Sequence, residues 1–210
     1  MNPPALLALS PGQLDAASAQ VFLGAARRVF ERGWRGLVLR EARLSDREYV
    51  ECARALRSIW ARDAGGWLCV HDRAHLVAAL EADALHLGGH SLRPADVRPW
   101  LPPGIQLGLS THAGDDARTW EAADYLVHGP VQPTDKPGAR PPIGFAALQL
   151  AVERSPRPIW ALGGLRPEHA RDVRASGARG MAVLSGVFGA ADAADAATRY
   201  LAAWSAAESA

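Results

Sequence analysis

Eight short apolar runs rich in valine and leucine recur along the chain, and helical patterns fill the segments between them. Nearly continuous apolar strands that alternate with helices indicate a parallel sheet covered on both faces. Eight such units favour closure into a single (βα)₈ TIM barrel of the α/β class over a doubly wound open sheet, for which no G-x-G-x-x-G motif follows an early strand. The predicted strands are Ala5–Leu9, Gly36–Arg40, Trp67–Val70, Ala84–Leu87, Gln106–Ser110, Tyr125–His128, Pro158–Leu162 and Met181–Leu184.

Three helices have clear sequence boundaries. An apolar stripe with helical spacing runs from Phe22 to Phe30 and ends at Gly33. Ser45 and Glu48 form a capping box that begins the next helix, and Pro167–Ser176 has proline at its start and glycine after its end. Weaker patterns predict helices over Arg73–Leu80, Pro94–Trp100, Gly114–Ala122, Phe145–Glu153 and Ala191–Trp204.

The composition points to a function in a pocket. With 210 residues, 49% of them hydrophobic, residues 1–210 can form one domain around one core. The balance of 23 basic against 22 acidic side chains predicts neither nucleic acid nor a membrane surface as partner. Two cysteines in apolar segments, no window long enough to span a bilayer and no signal-peptide pattern at the start favour the cytoplasm. We expect a small-molecule partner, and a homo-oligomer stays open.

Two small-residue turns follow the last two strands. Gly163–Gly164 comes after the seventh run, and Leu184–Ser185–Gly186 comes after the eighth. Either pair alone is read more simply as a tight turn. Both together favour a phosphate site, because backbone amides without a Cβ in the way can approach an anion and because TIM barrels bind phosphate after strands seven and eight.

A proline-rich loop follows the sixth strand. Gly129–Ile143 contains five prolines and two glycines, and it is long for a βα connection. Thr134 and Lys136 lie in this loop, where a hydroxyl and an ammonium could reach the same anion or a second one. A lysine in a loop is otherwise an ordinary solvated charge.

Charged residues and histidines lie at or near the C-terminal ends of several predicted strands. Arg40 ends the second strand and needs water, a ligand or a partner such as Glu41. Asp72, with His71 before it, gives the third strand an acid and a base, although one carboxylate is a poor magnesium site unless substrate phosphate supplies further ligands. The other histidines near strand ends could transfer protons near neutral pH. We favour a structural role for His86. His112 could cap the helix after the fifth strand. Whether the side chain of His128 faces the pocket stays open.

Taken together, these motifs resemble the superfamily of thiamine phosphate synthase and the TenI-type thiazole tautomerase. Their order and spacing agree with it over most of the chain. The resemblance implies a (βα)₈ barrel that holds thiazole phosphate at the amides after strands seven and eight, with Arg40, His71, Asp72, Ser110 and His112 as substrate-binding residues. The motifs are Leu39–Arg40–Glu41, Val70–His71–Asp72–Arg73, Leu85–His86–Leu87–Gly88, Ser110–Thr111–His112, Asp124–Tyr125, Gly129–Pro130–Val131, Pro133–Thr134 with Lys136, Ala161–Leu162–Gly163–Gly164–Leu165 and Ala182–Val183–Leu184–Ser185–Gly186.

Departures from the synthase pattern favour the tautomerase. The resemblance implies a glutamine where this chain has Val38, a lysine where it has Ala42 and an asparagine where it has His71. Ser91 replaces the second magnesium carboxylate. The preferred interpretation is therefore a TenI-like tautomerase without a cofactor. The alternative is a synthase that joins pyrimidine diphosphate to thiazole phosphate and uses Mg²⁺ held by Asp72.

The tautomerase interpretation needs a group that transfers protons. The resemblance implies a histidine where this chain has Pro130, and His128 lies two residues earlier on the same strand face. We therefore assign His128 as the acid and base, with Lys136 as the second catalytic residue. A non-catalytic phosphate binder or regulator on the same barrel is the third alternative.

Overall fold

The computed structural model describes residues 2–134, 138 and 140–209, apart from the side chains of residues 117 and 119. Eight parallel strands form a closed barrel in which each strand pairs with its sequence neighbours and the first pairs with the eighth. This confirms the predicted (βα)₈ fold. The strands are β1 Leu6–Leu9, β2 Gly36–Leu39, β3 Trp67–His71, β4 Ala84–Leu87, β5 Gln106–Thr111, β6 Tyr125–His128, β7 Ile159–Leu162 and β8 Gly180–Val183.

The helices lie outside the barrel, and the helix after β2 begins at the predicted cap. Ser45 accepts the N–H of Glu48 in the predicted capping box, and Asp15 caps the first helix in the same way. None of the helices in the described part of the chain has the length and apolar character needed to cross a membrane. The α-helices are α1 Ala16–Glu31, α2 Asp46–Ile59, α3 Pro94–Val97, α4 Gly144–Arg154, α5 Ala170–Ala175, α6 Ser185–Phe188 and α7 Ala193–Glu208.

The predicted helices after β3 and β5 are shorter than expected, and the one after β4 covers the predicted residues Pro94–Trp100 but is α-helical only over Pro94–Val97. The first is a 3₁₀ turn at Ala74–Leu76, and Glu81, at φ 49°, breaks a helical path before β4. The helix after β4 changes to a 3₁₀ turn at Arg98–Trp100, because the proline at position 99 has no N–H to continue the helix. The helix after β5 is a 3₁₀ turn at Ala117–Trp120, where Asp116 accepts a nearby backbone N–H.

The alternation of side chains along each strand decides which residues reach the barrel interior. Leu7, Trp67, Tyr125 and Trp160 belong to the apolar cluster inside the barrel. Their immediate neighbours, such as Leu126, pack in the layer between strands and helices. The same alternation turns His71, His86 and Ser110 inward and turns Thr111 and His128 toward the helices.

Two similar charged clasps tie the rim opposite the strands' C-terminal ends. Asp83 precedes β4, accepts the N–H of Leu68 at 2.8 Å and pairs with Arg57 at 2.7 Å. Asp124 precedes β6, accepts the N–H of Leu107 at 2.8 Å and pairs with Arg98, which lies before β5, at 2.6 Å. Each aspartate therefore joins its own strand to the preceding one.

Candidate functional site

Asp72 lies at the mouth of the barrel, where the C-terminal ends of the strands meet, and its conformation is constrained. Its backbone is left-handed, at φ 62°, which is unfavourable for a residue with a Cβ. His71 Nδ1 lies 3.0 Å from Asp72 Oδ2, and the Ser91 hydroxyl donates to Asp72 Oδ1. Burial raises the pKa of Asp72, but the hydrogen bonds from His71 and Ser91 outweigh burial and lower that pKa to about 2. Asp72 is therefore an ionised carboxylate in a fixed orientation.

His86 and Ser110 form a second polar pair, deeper in the barrel. His86 Nε2 lies 2.8 Å from Ser110 Oγ, and the imidazole ring is 5.7 Å from the ring of His71. Burial, followed by repulsion from His71, lowers the pKa of His86 to about 3. A neutral imidazole that shares a hydrogen bond with Ser110 corresponds to the structural role favoured by the sequence.

Arg40 reaches the mouth from the end of β2, and its charge is unpaired among the described residues. Its backbone N–H donates to Ser10 Oγ at 2.8 Å, and its guanidinium forms no hydrogen bond or ion pair with the described residues. The alternative of a salt bridge to Glu41 is wrong. The Glu41 carboxylate accepts instead the N–H groups of Gly12 at 2.7 Å and Leu14 at 2.8 Å. A half-buried cation without a counter-charge suits an anionic ligand.

Arg73 holds the loop after β2 in place. Its guanidinium lies 4.1 Å from the ring centroid of Tyr49, pairs with Asp46 at 2.9 Å and donates to the carbonyl oxygens of Glu41 and Leu44. Tyr49 in turn donates its hydroxyl to the carbonyl of β2 at Leu39, 2.7 Å away. These contacts join residues of different elements, and no sequence pattern indicates them.

His112 lies at the rim of the mouth. A Cβ added to Gly89 would be 3.8 Å from His112 Cε1, which places the imidazole beside the loop after β4. The N–H of His112 donates to Asp115 at 2.7 Å, and its Nδ1 lies 3.4 Å from the same carboxylate. Asp115 therefore accepts the backbone N–H of His112. The option that His112 caps the following helix is wrong, because Asp116 caps the 3₁₀ turn there.

His128 faces away from the mouth. Its Nδ1 lies 2.9 Å from Thr111 Oγ1, its ring packs against Trp120, and only 3% of its surface is exposed. Burial, followed by repulsion from His112, lowers the pKa of His128. The hypothesis that His128 transfers protons in the pocket is wrong, because the barrel wall separates its imidazole from the pocket.

The turn after β7 packs tightly against the loop after β6. Gly163 and Gly164 have φ values of 98° and 62°, and their N–H groups donate to no atom in the described part of the chain. A Cβ on Gly163 would lie 2.6 Å from Pro130, and one on Gly164 would lie 2.7 Å from the carbonyl of Gln132. Both glycines are therefore required by loop packing, and they also leave two backbone donors available to a ligand.

The loop after β6 continues the same contact. Gln132 donates its N–H to Gly163 O at 3.0 Å, and Thr134, two residues on, is exposed. Lys136, which we assigned to the catalytic set, lies outside the described residues. The structure thus brings the Thr134 segment beside the β7 turn.

The residues after β8 begin a helix. The sequence predicts a turn at Leu184–Ser185–Gly186, but Ser185 starts helix α6. The first N–H groups of a helix have no partner within it, so this segment also presents backbone donors. Since β7 and β8 are paired, both sets of donors lie on the same side of the mouth.

The donor set for a metal ion is small. Among the described residues, no three histidine, cysteine or acidic side chains are grouped to bind one ion. Asp72, whose side chain is 48% exposed, supplies a single carboxylate at the mouth. Magnesium held by one carboxylate needs oxygen ligands from the substrate and water.

Comparisons with known proteins agree on one family. The sequence profile described as Thiamine monophosphate synthase matches residues 6–187. A thiamine-phosphate synthase of Moorella thermoacetica is 42% identical over 170 residues, which is 80% of this chain and 80% of that protein. The chain belongs to the thiamine monophosphate synthase family. A family member from Methanoculleus marisnigri, named thiamine-phosphate synthase, is 37% identical over 157 residues and covers 73% of this chain and 74% of its own length.

A solved structure extends this similarity to nearly the whole barrel. Thiamine phosphate pyrophosphorylase from Pyrococcus furiosus matches with a TM-score of 0.83 at 28% identity, covering 96% of both chains. The prediction of a TenI-like tautomerase is wrong, because these relatives are named as synthases or as the pyrophosphorylase. The outward position of His128 removes the residue on which the tautomerase mechanism depended.

Proposed function

We propose that the chain is a thiamine-phosphate synthase that joins a pyrimidine diphosphate to a thiazole phosphate and releases pyrophosphate. The 42% identity to the Moorella thermoacetica synthase over 80% of both chains carries this proposal. In the reaction, the bond between the pyrimidine's methylene carbon and the diphosphate breaks, and its electron pair leaves with pyrophosphate. The thiazole nitrogen forms the new bond to that carbon.

The two sides of the mouth suit the two substrates. The N–H groups of Gly163, Gly164, Ser185 and Gly186 would bind the monophosphate of the thiazole, with Thr134 beside them. The guanidinium of Arg40, which has no partner in the described part of the chain, would contact the diphosphate. This division supports the proposal because it gives each anion its own donors.

The polar pair inside the barrel suits the uncharged part of a substrate. Ser110 Oγ is oriented by the neutral imidazole of His86, and apolar residues fill the barrel below them. A hydroxyl in such a fixed position can exchange hydrogen bonds with a heterocycle. His112 lies at the rim and would limit access to that position.

Magnesium fits this site through Asp72, provided that the diphosphate supplies further oxygen ligands. When bound, Mg²⁺ would neutralise part of the diphosphate charge. The contribution of the chain is to keep Asp72 ionised and oriented through His71 and Ser91.

A two-product assay tests the proposed function. The purified chain is incubated with pyrimidine diphosphate, thiazole phosphate and Mg²⁺, and pyrophosphate and thiamine phosphate are both quantified. We expect equal amounts of both products, and neither product when one substrate is omitted. If the protein is folded by circular dichroism and thiamine phosphate forms no faster than in the reaction without protein, the proposal is overturned.

A matched pair of arginine variants tests the diphosphate contact. Arg40→Gln should raise the KM for pyrimidine diphosphate by about 10-fold or more, because a charge-assisted hydrogen bond is lost. Arg47→Gln is the control, because the side chain of Arg47 is 88% exposed and pairs with Glu51 on the surface of α2. Equal KM values for the two variants would contradict the role of Arg40.

A further inference from the structure

One side chain of α7 joins the turns that follow β7 and β8. Tyr200 is 3% exposed and donates its hydroxyl to the carbonyl of Leu165 at 2.7 Å. Leu165 follows the Gly163–Gly164 turn directly. The same hydroxyl occupies the space that a Cβ on Gly186 would need. One oxygen atom therefore lies against both turns.

The position of this hydroxyl is fixed from behind. The ring of Tyr200 meets the ring of Trp34 edge to face, with centroids 6.1 Å apart and planes at 84°. Trp34 is fully buried and donates its indole N–H to Gly36 O at 2.8 Å, which anchors it at the start of β2. Burial raises the pKa of Tyr200 to about 12, so its hydroxyl stays a hydrogen-bond donor at neutral pH.

We propose that Tyr200 is a positioning residue for the phosphate of thiazole phosphate, because its hydroxyl sets the spacing between the backbone donors of Gly164 and Gly186. This inference rests on the proposed function, which assigns the monophosphate to these turns. Four backbone N–H groups converge on one anion only if the two turns keep a fixed separation. Tyr200 acts through the backbone and has no contact with the substrate.

The test variant is Tyr200→Phe, which keeps the ring against Trp34 and removes only the hydroxyl. We expect the KM for thiazole phosphate to rise about 5- to 10-fold, as for the loss of one buried hydrogen bond. The kcat and the KM for pyrimidine diphosphate should stay within about 2-fold. Calorimetry with thiazole phosphate should show the same 5- to 10-fold weakening of Kd.

Ser176→Ala is the matched structural control. Ser176 is also buried, and its hydroxyl donates to the carbonyl of Val173 at 2.6 Å, at the end of α5 and away from the mouth. This variant should lower Tm without changing either KM. Gly186→Ala adds a Cβ that would displace the same hydroxyl from the side of the β8 turn. If Tyr200→Phe does not fold, this variant should show the same selective rise in the KM for thiazole phosphate.

The outcomes separate the two proposals. If the wild-type chain binds thiazole phosphate and Tyr200→Phe binds it equally well, the inference about Tyr200 is wrong. Parallel changes in kcat and both KM values would also overturn it, because they indicate a general structural role. A wild-type chain that binds thiazole phosphate without releasing pyrophosphate would overturn the proposed function alone, and the calorimetry would still decide the role of Tyr200. If the wild-type chain neither binds nor reacts, both proposals fail.

Discussion

Replacement of Gly164 by alanine tests whether the β7 turn is held by its contact with the loop after β6. At φ 62°, an alanine at this position adopts the left-handed conformation at a cost of roughly 1–2 kcal/mol. Its Cβ would also overlap the carbonyl oxygen of Pro133 and lie 2.7 Å from two backbone atoms of Gln132, whereas ordinary contact begins at 3.4 Å. The loop must therefore move back by more than about 0.7 Å, and this movement weakens the hydrogen bond from Gln132 N–H to Gly163 O, which contributes about 1 kcal/mol. We expect Gly164→Ala to lower the free energy of unfolding by about 2–3 kcal/mol in all.

Gly104→Ala provides the matched control. Gly104 also has a positive φ, 85°, but a Cβ there would meet nothing within 4 Å, and the residue lies before β5 at the rim opposite the mouth. This variant should lose only the conformational contribution of roughly 1–2 kcal/mol. Urea titrations of both variants measure the difference. Steady-state kinetics should show a loss of about 10-fold or more in kcat/KM for thiazole phosphate in Gly164→Ala only, because small displacements of binding groups are costly. If both variants lose the same stability and both keep kcat/KM, the proposed packing of the β7 turn is refuted.

Three further variants test other parts of the structure. His128→Gln should lower Tm yet leave kcat within about 2-fold, because His128 contacts Thr111 behind the barrel wall; a loss of kcat above about 10-fold would contradict this. Asp72 has a folded-state pKa of about 2, below its ordinary value of 3.8, so its carboxylate stabilises the fold above about pH 4 and that contribution disappears as the pH falls toward 2. Asp72→Asn should therefore flatten the dependence of the unfolding free energy on pH between 4 and 2, and unchanged slopes would show that the hydrogen bonds at Asp72 contribute little. Asp83→Ala should destabilise the fold by about 3–5 kcal/mol in urea titrations by leaving Arg57 partly buried without its counter-charge, with both KM values unchanged.

The fold was predictable from sequence because the barrel repeats one simple pattern. Each strand is short and apolar, and two of the longest helices, α1 and α2, carry stripes with helical spacing. The same apolar character concealed the direction of His128. In Tyr125–His128 both faces of the strand are buried, so the sequence shows no contrast from which the inward face could be identified.

The candidate site was predictable only in part. The turns after β7 and β8 were visible because glycines mark them, but the sequence did not show that Pro130 and Gln132 fill the space beside Gly163 and Gly164. The contacts of Glu41 with Gly12 and Leu14 span 29 and 27 residues, a separation at which no local pattern identifies a partner. The choice of branch was wrong because a few substitutions at the mouth, such as Ser91, outweighed the similarity of the whole chain to synthases.

The clasps at Asp83 and Asp124 have a consequence for how such a chain can change over time. They lie at the rim opposite the mouth, where they tie β3 to β4 and β5 to β6. Residues at the mouth, such as His71 and Ser91, can therefore be exchanged without loss of these ties. Stability and chemistry are encoded at opposite ends of the same strands, so a directed-evolution library confined to the mouth should retain folded members at high frequency.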